Sequence, residues 1–190
     1  GAVFEPLQAS LAWDTIYEPQ KDRIVSPVSR NWNLGGGGYM LFCWDTYFAA
    51  AMAGLDSREL AYANLIEITA EAAPAGFVPN DSRGCGFKSN DRSQPPVGSM
   101  ALKMLYRKFG DQWLIEHVFP ALLRWNRWWP VNRDTGGLLC WGSTPCAPTI
   151  PGHGNAFSNT QFASMLESGL DNSPMYDGVP FDTERHQMVL

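Results

Sequence analysis

The sequence predicts a mostly helical protein of the all-α class. Apolar residues recur at helical spacing in several segments of the 190-residue chain, and such stripes are typical of helices that pack on a core. The connecting segments are irregular and rich in Gly, Pro and Asn, and no segment shows a convincing alternation of apolar and polar residues. Two pairs of helices joined by short turns indicate αα-hairpins.

The first predicted hairpin begins with an Ala-rich helix over residues 45–53, because Ala is the strongest helix former. Gly54 is suited to the end of this helix, and Asp56 or Ser57 to the N-cap of the next. Residues 58–73 form the partner helix, whose apolar face consists of Leu60, Ala63, Leu65, Ile66 and Ile68.

The second hairpin pairs a helix that closes at Gly110 with one that Asp111 caps. We expect Pro120 to kink or split the later helix, because proline removes a backbone donor. Its apolar side is predicted to comprise Trp113, Leu114, Phe119, Leu122 and Leu123. Residues 132–139 should end the hairpin in a loop, and a further short helix is predicted over residues 159–165.

Two connecting segments, residues 74–94 and 134–158, are longer than a simple helical bundle needs. Loops of that length are usually functional or disordered, and the aromatic residues within them favour function.

Composition excludes several classes of partner. Hydrophobic residues make up 45% and charged residues 17% of the chain, with a formal net charge of −5, which favours a packed core over disorder. There is no basic run, so we expect neither nucleic acid nor an anionic membrane as partner. No apolar stretch reaches the roughly 20 residues needed to span a bilayer. The first residues show no signal-peptide pattern, and the localisation stays open.

The cysteines do not predict a metal site. Their spacing matches no zinc motif and the histidines do not cluster with them, so no metal and no cofactor are expected. Cys140 and Cys146 could pair across Pro145, but buried free thiols are the favoured interpretation. The cysteines are Cys43, Cys85, Cys140 and Cys146.

The chain is rich in aromatic residues, with eight Trp, six Tyr and ten Phe. Trp and Tyr combine a flat apolar face with a polar edge, which suits the C–H face and hydroxyl rim of a sugar ring. For the cluster "RWNRWW" at residues 124–129, packing in a helix core is the favoured alternative.

Three stretches at predicted loop–helix junctions carry candidate site residues. The first is "GGGGYMLFCWDTYF", residues 35–48. It lacks the Lys and Ser/Thr of a phosphate-binding loop, although a glycine run allows close approach of a ligand to the backbone. Asp45 follows Trp44 at a helix start, where a favourable interaction with the helix dipole is the structural alternative.

The second stretch is residues 76–96, whose amide and guanidinium groups suit the recognition of hydroxyls. A polar turn-rich loop is an equally good interpretation of the same composition. Residues 80–82 also form a glycosylation sequon, which should be unoccupied if the loop lines a pocket. The candidate binding groups are Asn80, Arg83, Asn90, Arg92 and Gln94.

The third stretch is "ESGLDNSPMYD", residues 167–177, in which acids surround a flexible Ser-Gly pair. It is either a solvated corner, with an Asx-type turn leading into Pro174, or a place where one acid is held for chemistry.

Taken together, the three stretches resemble the inverting α-glycosidases of glycoside hydrolase families 63 and 37, which include processing α-glucosidases, mannosylglycerate hydrolases and trehalases. "CWDTYF" is similar to the trehalase segment "YWDSYW", "GFVPN…RSQPP" to another trehalase stretch, and "ESGLDNSP" to the acidic motif of family 63. The likeness runs in the same order over residues 32–182. It implies an (α/α)6 barrel of six helix hairpins, of which this chain would supply about the first half.

The resemblance also implies roles for individual residues. Asp171 would be the general acid, and Trp44 and Asp45 would hold the sugar in the −1 pocket. The remaining substrate-binding residues implied are Asn80, Arg92, Gln94, Glu167 and Gly169. Burial beside aromatic residues, with Glu167 nearby, would raise the pKa of Asp171 and keep it protonated.

The chain departs from the family pattern in three places. Its glycine run stands where trehalases carry an Arg, Met175 stands where family 63 members often carry an Arg, and Glu184 does not match the motif of the general base. We therefore expect residues 1–190 to be a partial (α/α)6 catalytic domain with no second domain. This part alone should be inactive, and its binding partner should be an oligosaccharide or another α-glycoside substrate. A degenerate carbohydrate-binding protein and a plain helical scaffold are the alternatives.

Overall fold

The computed structural model describes residues 3–31, 38–147 and 158–189. Its main elements are six α-helices: α1 (Phe4–Asp14), α2 (Cys43–Ala53), α3 (Arg58–Ala70), α4 (Gly98–Phe109), α5 (Gln112–Asn132) and α6 (Gln161–Ser168). A short 3-10 helix covers Pro174–Tyr176. The predicted mostly helical class is therefore confirmed. None of the helices in the described ranges is long and apolar enough to cross a membrane.

Both predicted helix hairpins are present. Gly54 follows α2, and the hydroxyl of Ser57 caps α3 by accepting a hydrogen bond from the N–H of Leu60 at 3.2 Å. Gly110 ends α4 in the left-handed conformation, with a φ of +77°, a geometry that favours glycine. These local signals position α2 against α3 and α4 against α5.

The core lies between α2, α3, α4 and α5. Tyr47 of α2 stacks on Trp125 of α5 with ring centroids 5.8 Å apart. Gly98 allows α4 to approach Tyr47 and Leu122, because a Cβ there would lie 2.8 Å from Cζ of Tyr47 and 2.7 Å from Cδ2 of Leu122. Trp125, Trp128 and Trp129 are each at most 6% exposed. The aromatic cluster of α5 therefore serves core packing, as the favoured interpretation held.

The buried face of α5 differs from the prediction. Trp113 and Phe119 are each 51% exposed, because the stripe that contacts the core is rotated away from both. This stripe consists of Leu114, Val118, Leu122, Trp125, Trp128 and Trp129. Pro120 does not split α5, which continues to Asn132. Asp111 precedes α5 without a side-chain cap, and its Oδ2 accepts instead from the hydroxyl of Tyr62 at 2.8 Å.

Short strands, which the sequence did not predict, form four two-stranded antiparallel ribbons in the described chain. The pairs are β1 (Ile16–Glu18) with β2 (Arg23–Val25), β3 (Met40–Phe42) with β4 (Asp81–Arg83), β5 (Asp134–Thr135) with β6 (Leu138–Leu139), and β7 (Phe181–Asp182) with β8 (Gln187–Met188). Strands of two or three residues are too short to show an alternating pattern. The β5–β6 ribbon occupies the segment predicted as a loop, and its turn uses Gly136 and Gly137, both with positive φ.

Arg23 joins the β1–β2 ribbon to the helices. Its Nε donates to Glu18 and its Nη1 to Glu71, each at 2.6 Å, and Tyr39 contacts both Arg23 and Glu18. Lys88 completes the cluster with an ion pair of 2.7 Å to Glu71. The residues before the first candidate stretch therefore belong to the same folded unit.

The cysteines agree with the interpretation as free thiols. Cys140 and Cys146 are not paired, and Cys43 and Cys140 are buried, whereas Cys85 is exposed.

Candidate active site

The β3–β4 ribbon holds the first turn of α2 against the second candidate stretch. The N–H of Cys43 donates to the carbonyl of Asn80 at 3.0 Å, and the N–H of Trp44 donates to Oε1 of Gln94 at 3.2 Å. Gln94 is 4% exposed. Its contact with the α2 backbone fixes where the Trp44 side chain leaves the helix.

Gly169 brings the first and third stretches together. It ends α6 with a φ of +75°, and a Cβ at this position would lie 2.4 Å from Cζ2 of Trp44. The indole of Trp44 therefore lies directly against the glycine backbone, while Phe48 packs on it with ring centroids 5.9 Å apart. Only glycine satisfies both the left-handed backbone and the close approach.

Asp45 and Asp171 are two carboxyl groups near this junction, close enough for the charge of Asp171 to act on Asp45. Burial raises the pKa of both, and the negative charge of Asp171 raises the pKa of Asp45 further. Burial outweighs the charge of Arg92, which lowers the pKa of Asp171. Oδ1 of Asp171 is enclosed and has no hydrogen-bond partner in the described ranges, although the residue as a whole is partly exposed. Such an environment favours the protonated acid.

Arg92 supplies the positive charge beside Asp171. Its Nε donates to Oδ1 of Asn80 at 3.0 Å, and its Nη1 donates to both oxygens of Asp91 at 3.0 and 2.9 Å. Arg92 is 5% exposed, so these protein contacts fix the orientation of its guanidinium.

Glu167 lies behind the site. It is fully buried, and each of its oxygens accepts two hydrogen bonds: Oε1 from the N–H of Ser93 (2.9 Å) and Nη2 of Arg133 (2.9 Å), and Oε2 from Nε of Arg133 (2.6 Å) and the N–H of Gly142 (2.6 Å). Burial raises the pKa of Glu167 and these donors lower it. Because all four groups only donate, the geometry requires the carboxylate form.

Asn80, Gln94 and Glu167 are therefore supporting residues in this structure. Each is at most 4% exposed and bonded to other protein groups, which does not agree with the expectation that Glu167 contacts a ligand. Its full burial and complete set of donors leave no position for one. Trp44, Asp45 and Asp171 are partly exposed and meet around Gly169. The burial of Asn80 also places the sequon of residues 80–82 inside the fold.

Sequence reasoning missed Arg133 and Asp91. Arg133 is 1% exposed and bonds to Glu167 and to Oγ1 of Thr144, while Oδ2 of Asp91 accepts from the hydroxyl of Ser143 at 2.7 Å. The contacts of Arg133 with Glu167 and of Asp91 with Ser143 join residues that are distant in sequence, so no local pattern shows them. The second partner of Asp91, Arg92, is its neighbour in the chain.

A cleft of about 220 Å³ extends from Asp45 between α1 and α2. Its walls are mainly apolar, with Leu7 and Leu11 from α1 and Phe48 and Met52 from α2. Open space therefore adjoins Asp45 on the α1 side. The described residues include no group of three or more His, Cys, Asp or Glu side chains that could hold a metal ion.

The comparisons with known proteins identify the family. Residues 38–187 match the family model described as "Mannosylglycerate hydrolase MGH1-like glycoside hydrolase domain". The chain belongs to this glycoside hydrolase family. The matched range contains every candidate site residue, and curated proteins gave no match.

One solved structure similar to this glycoside hydrolase domain is the crystal structure of an uncharacterized conserved protein from Thermus thermophilus, with 24% identity and a TM-score of 0.56. The similarity covers 73% of this chain and 32% of that one. It supports the fold, and the domain spans about a third of that relative's length.

The contact between Gly169 and Trp44 predicts a specific cost of substitution. Gly169→Ala should destabilise the domain more than Gly178→Ala, whose φ of +74° is nearly the same but whose Cβ would meet no atom within 4 Å. The control should lose about 1–2 kcal/mol of unfolding free energy from backbone strain, and Gly169→Ala about 1–3 kcal/mol more from overpacking. Urea denaturation measures both, and equal losses would contradict the contact.

The burial of the Arg133–Glu167 pair predicts strong dependence on both partners. Glu167→Gln should cost about 3–5 kcal/mol, because it leaves a buried guanidinium uncompensated. Replacing both residues by Met should cost less than replacing either one. Denaturation curves test this, with Glu184→Gln, an exposed acid, as a control that changes stability by less than about 0.5 kcal/mol. A double variant as unstable as the sum of the single variants would argue against the pair.

Proposed function

We propose that this domain is part of an inverting glycoside hydrolase that cleaves α-linked glucosides or mannosides, with Asp171 as the general acid. The observation that carries the proposal is the enclosed, unpartnered Oδ1 of Asp171, two residues after the Gly169 whose backbone lies against Trp44. A carboxyl group in this environment retains its proton more readily than an exposed one. It is therefore suited to protonate the glycosidic oxygen as the bond to the leaving group breaks.

In this proposal the sugar binds in the space around Trp44, Asp45 and Arg92. The indole offers an apolar surface to the C–H face of the ring. Asp45 accepts hydrogen bonds from hydroxyl groups, and Arg92 donates to a hydroxyl oxygen. Asn80 and Gln94 hold Arg92 and Trp44 in position, so their contribution to binding is indirect.

Glu167 and Gly169 position the acid. Glu167 fixes the end of α6 to Ser93 and Gly142, and Gly169 turns the chain against Trp44 two residues before Asp171. A displacement of the acid by about 1 Å can cost on the order of 100-fold in rate. We therefore assign both residues to the geometry of the site and not to substrate contact.

The general base is proposed to lie outside residues 1–190, in the remainder of an (α/α)6 barrel. The greater length of the Thermus relative is consistent with this, since the domain spans 32% of it. An inverting reaction needs a second carboxylate about 6.5–9.5 Å from the acid, with a water molecule between the base and the sugar. Residues 1–190 alone should then bind sugars and hydrolyse nothing at a useful rate.

A non-catalytic carbohydrate-binding protein is the second candidate function. It is favoured by the completeness of the binding features around Trp44, which need no base. The two candidates differ in the reaction of the full-length protein: the enzyme releases a sugar of inverted anomeric configuration, detectable by NMR, whereas the binding protein releases none.

Asp171→Asn tests the assignment of the acid. In the full-length protein, turnover of α-linked disaccharides should fall by about 10²–10⁴-fold, because the amide cannot supply the proton. Asp177→Asn, which changes an exposed acid in the same segment, should retain normal turnover. Near-normal activity in Asp171→Asn would remove this residue from the role of acid. Sugar binding without turnover in the unmutated protein would favour the second candidate.

The raised pKa of Asp171 predicts a pH-dependent stability difference between the same variant and the unmutated protein. A carboxyl whose pKa is higher in the folded than in the unfolded state stabilises the fold at low pH. That contribution is lost as the pH rises from the unfolded value of about 3.9 through the folded one. Asp171→Asn should therefore gain melting temperature relative to the parent as the pH rises from 4 to 7. Thermal melts across this range test it, and a constant or reversed difference would contradict the pKa shift.

A further inference from the structure

A second cleft, remote in sequence from the candidate active site, lies between the start of α3 and the start of α5. Its volume is about 380 Å³. Tyr62, Ala63 and Ile66 supply apolar surface, and Trp113 stands beside them. The charged residues of the lining are Arg58, Glu59 and Asp111. The cleft thus combines an apolar floor with a hydrogen-bonding rim.

Trp113 is an exposed aromatic side chain with a fixed neighbour. It is 51% exposed, yet it packs on Tyr62 at a centroid distance of 5.6 Å and an interplanar angle of 76°. Tyr62 is held in turn by its hydrogen bond to Asp111 at 2.8 Å, and burial together with this bond raises the pKa of Tyr62 to about 12. The hydroxyl of Tyr62 therefore stays protonated at neutral pH and donates to Asp111, and the ring of Tyr62 fixes the position of the Trp113 indole.

The rim carries paired charges of both signs. Nη1 of Arg58 lies 3.5 Å from Oδ2 of Asp111, and Nη2 of Arg58 lies 3.3 Å from Oε1 of Glu59. With one cation and two carboxylates the rim is negative overall, which disfavours phosphates, nucleic acids and acidic peptides. The side chains of Arg58 and Glu59 are 50% and 77% exposed, so their hydrogen-bonding groups remain accessible.

We propose that this cleft is a secondary binding site for the neutral sugar residues of an oligosaccharide chain. A pyranose ring has an apolar face that matches Trp113 and the floor. Its hydroxyls both donate and accept hydrogen bonds, so they match the carboxylates and the guanidinium of the rim. Neither a purely apolar partner nor an anion satisfies both halves of the cleft.

This site goes beyond the proposed function. It shares no residue with the group around Asp171, and none of its residues takes part in the proposed reaction. Binding of one part of a glycan here would keep the remainder near the protein surface and raise its effective concentration at a second site. The expected consequence is tighter binding of long glycans, with the hydrolysis of short substrates unchanged.

Affinity electrophoresis of the full-length protein through gels that contain soluble starch, dextran or yeast mannan tests the proposal. Trp113→Ala should weaken binding to at least one of these polysaccharides by about tenfold through loss of the aromatic surface, and Trp113→Phe should restore most of it. Phe119→Ala is the matched control, because Phe119 is also 51% exposed on α5 but does not line the cleft. It should migrate like the parent.

Arg58→Ala is a second test, which removes a rim donor and leaves the aromatic surface intact, and it should also weaken binding. Normal retention of both Trp113→Ala and Arg58→Ala in all three gels would overturn the proposal. So would equal weakening by Phe119→Ala, or a dimer in sedimentation velocity that Trp113→Ala dissociates, since the cleft would then be an interface between two copies.

Turnover of a p-nitrophenyl α-glycoside, measured in parallel, separates this proposal from the proposed function. Trp113→Ala should leave that turnover unchanged. If the unmutated protein is inactive but its binding of polysaccharide is weakened by Trp113→Ala, the enzymatic proposal is contradicted and the secondary site is supported.

Discussion

The candidate site depends on one buried ion pair, between Arg133 and Glu167. The guanidinium contacts both carboxylate oxygens, at 2.6 and 2.9 Å, and the N–H groups of Ser93 and Gly142 complete the carboxylate's hydrogen bonds. A buried pair of this kind stabilises a fold only when every acceptor and donor is satisfied. Here it joins the end of α5, the loop before α4, the segment after β6 and the helix α6.

Glu167 and Asp171 lie in different environments although they are only four positions apart in the sequence. Glu167 receives four donors and is fixed as a carboxylate, whereas Oδ1 of Asp171 is enclosed without a partner among the described residues. Gly169 separates them and turns the chain against Trp44. Burial raises the pKa of Asp171, whereas the four donors around Glu167 require its charged form.

Local signals were the part of the fold that the sequence predicted well. Ser57 and Gly110 mark helix ends through backbone preferences that act within a few residues, and both do so in the structure. The ribbons were missed because strands of two or three residues carry no periodicity. The face of α5 was misassigned because Trp113 is as apolar as Trp125, and only the packing of α2 and α4 decides which of them is buried.

In the candidate site, too, local motifs were predicted and contacts between distant residues were missed. The first and third candidate stretches contain the candidate site residues Trp44, Asp45, Gly169 and Asp171. The structure brings these two stretches together. Arg133 was missed because its partner Glu167 is far away in sequence. Asp91 was missed because its contact with Ser143 is equally distant, although its other partner, Arg92, is adjacent to it. Glu167, which the resemblance assigned to ligand contact, is buried against Arg133 in the structure. An acid beside a turn looks the same in sequence whether it faces a cleft or a buried arginine.

Amide hydrogen exchange of Ser93 and Gly142 tests the central claim most directly. Both N–H groups lie in irregular segments outside any named helix or strand and donate to the same buried carboxylate. If the Arg133–Glu167 pair holds these segments together, both amides should exchange as slowly as core amides of α5, and only through global unfolding. Exchange of either amide at the rate of exposed loop positions would contradict the account.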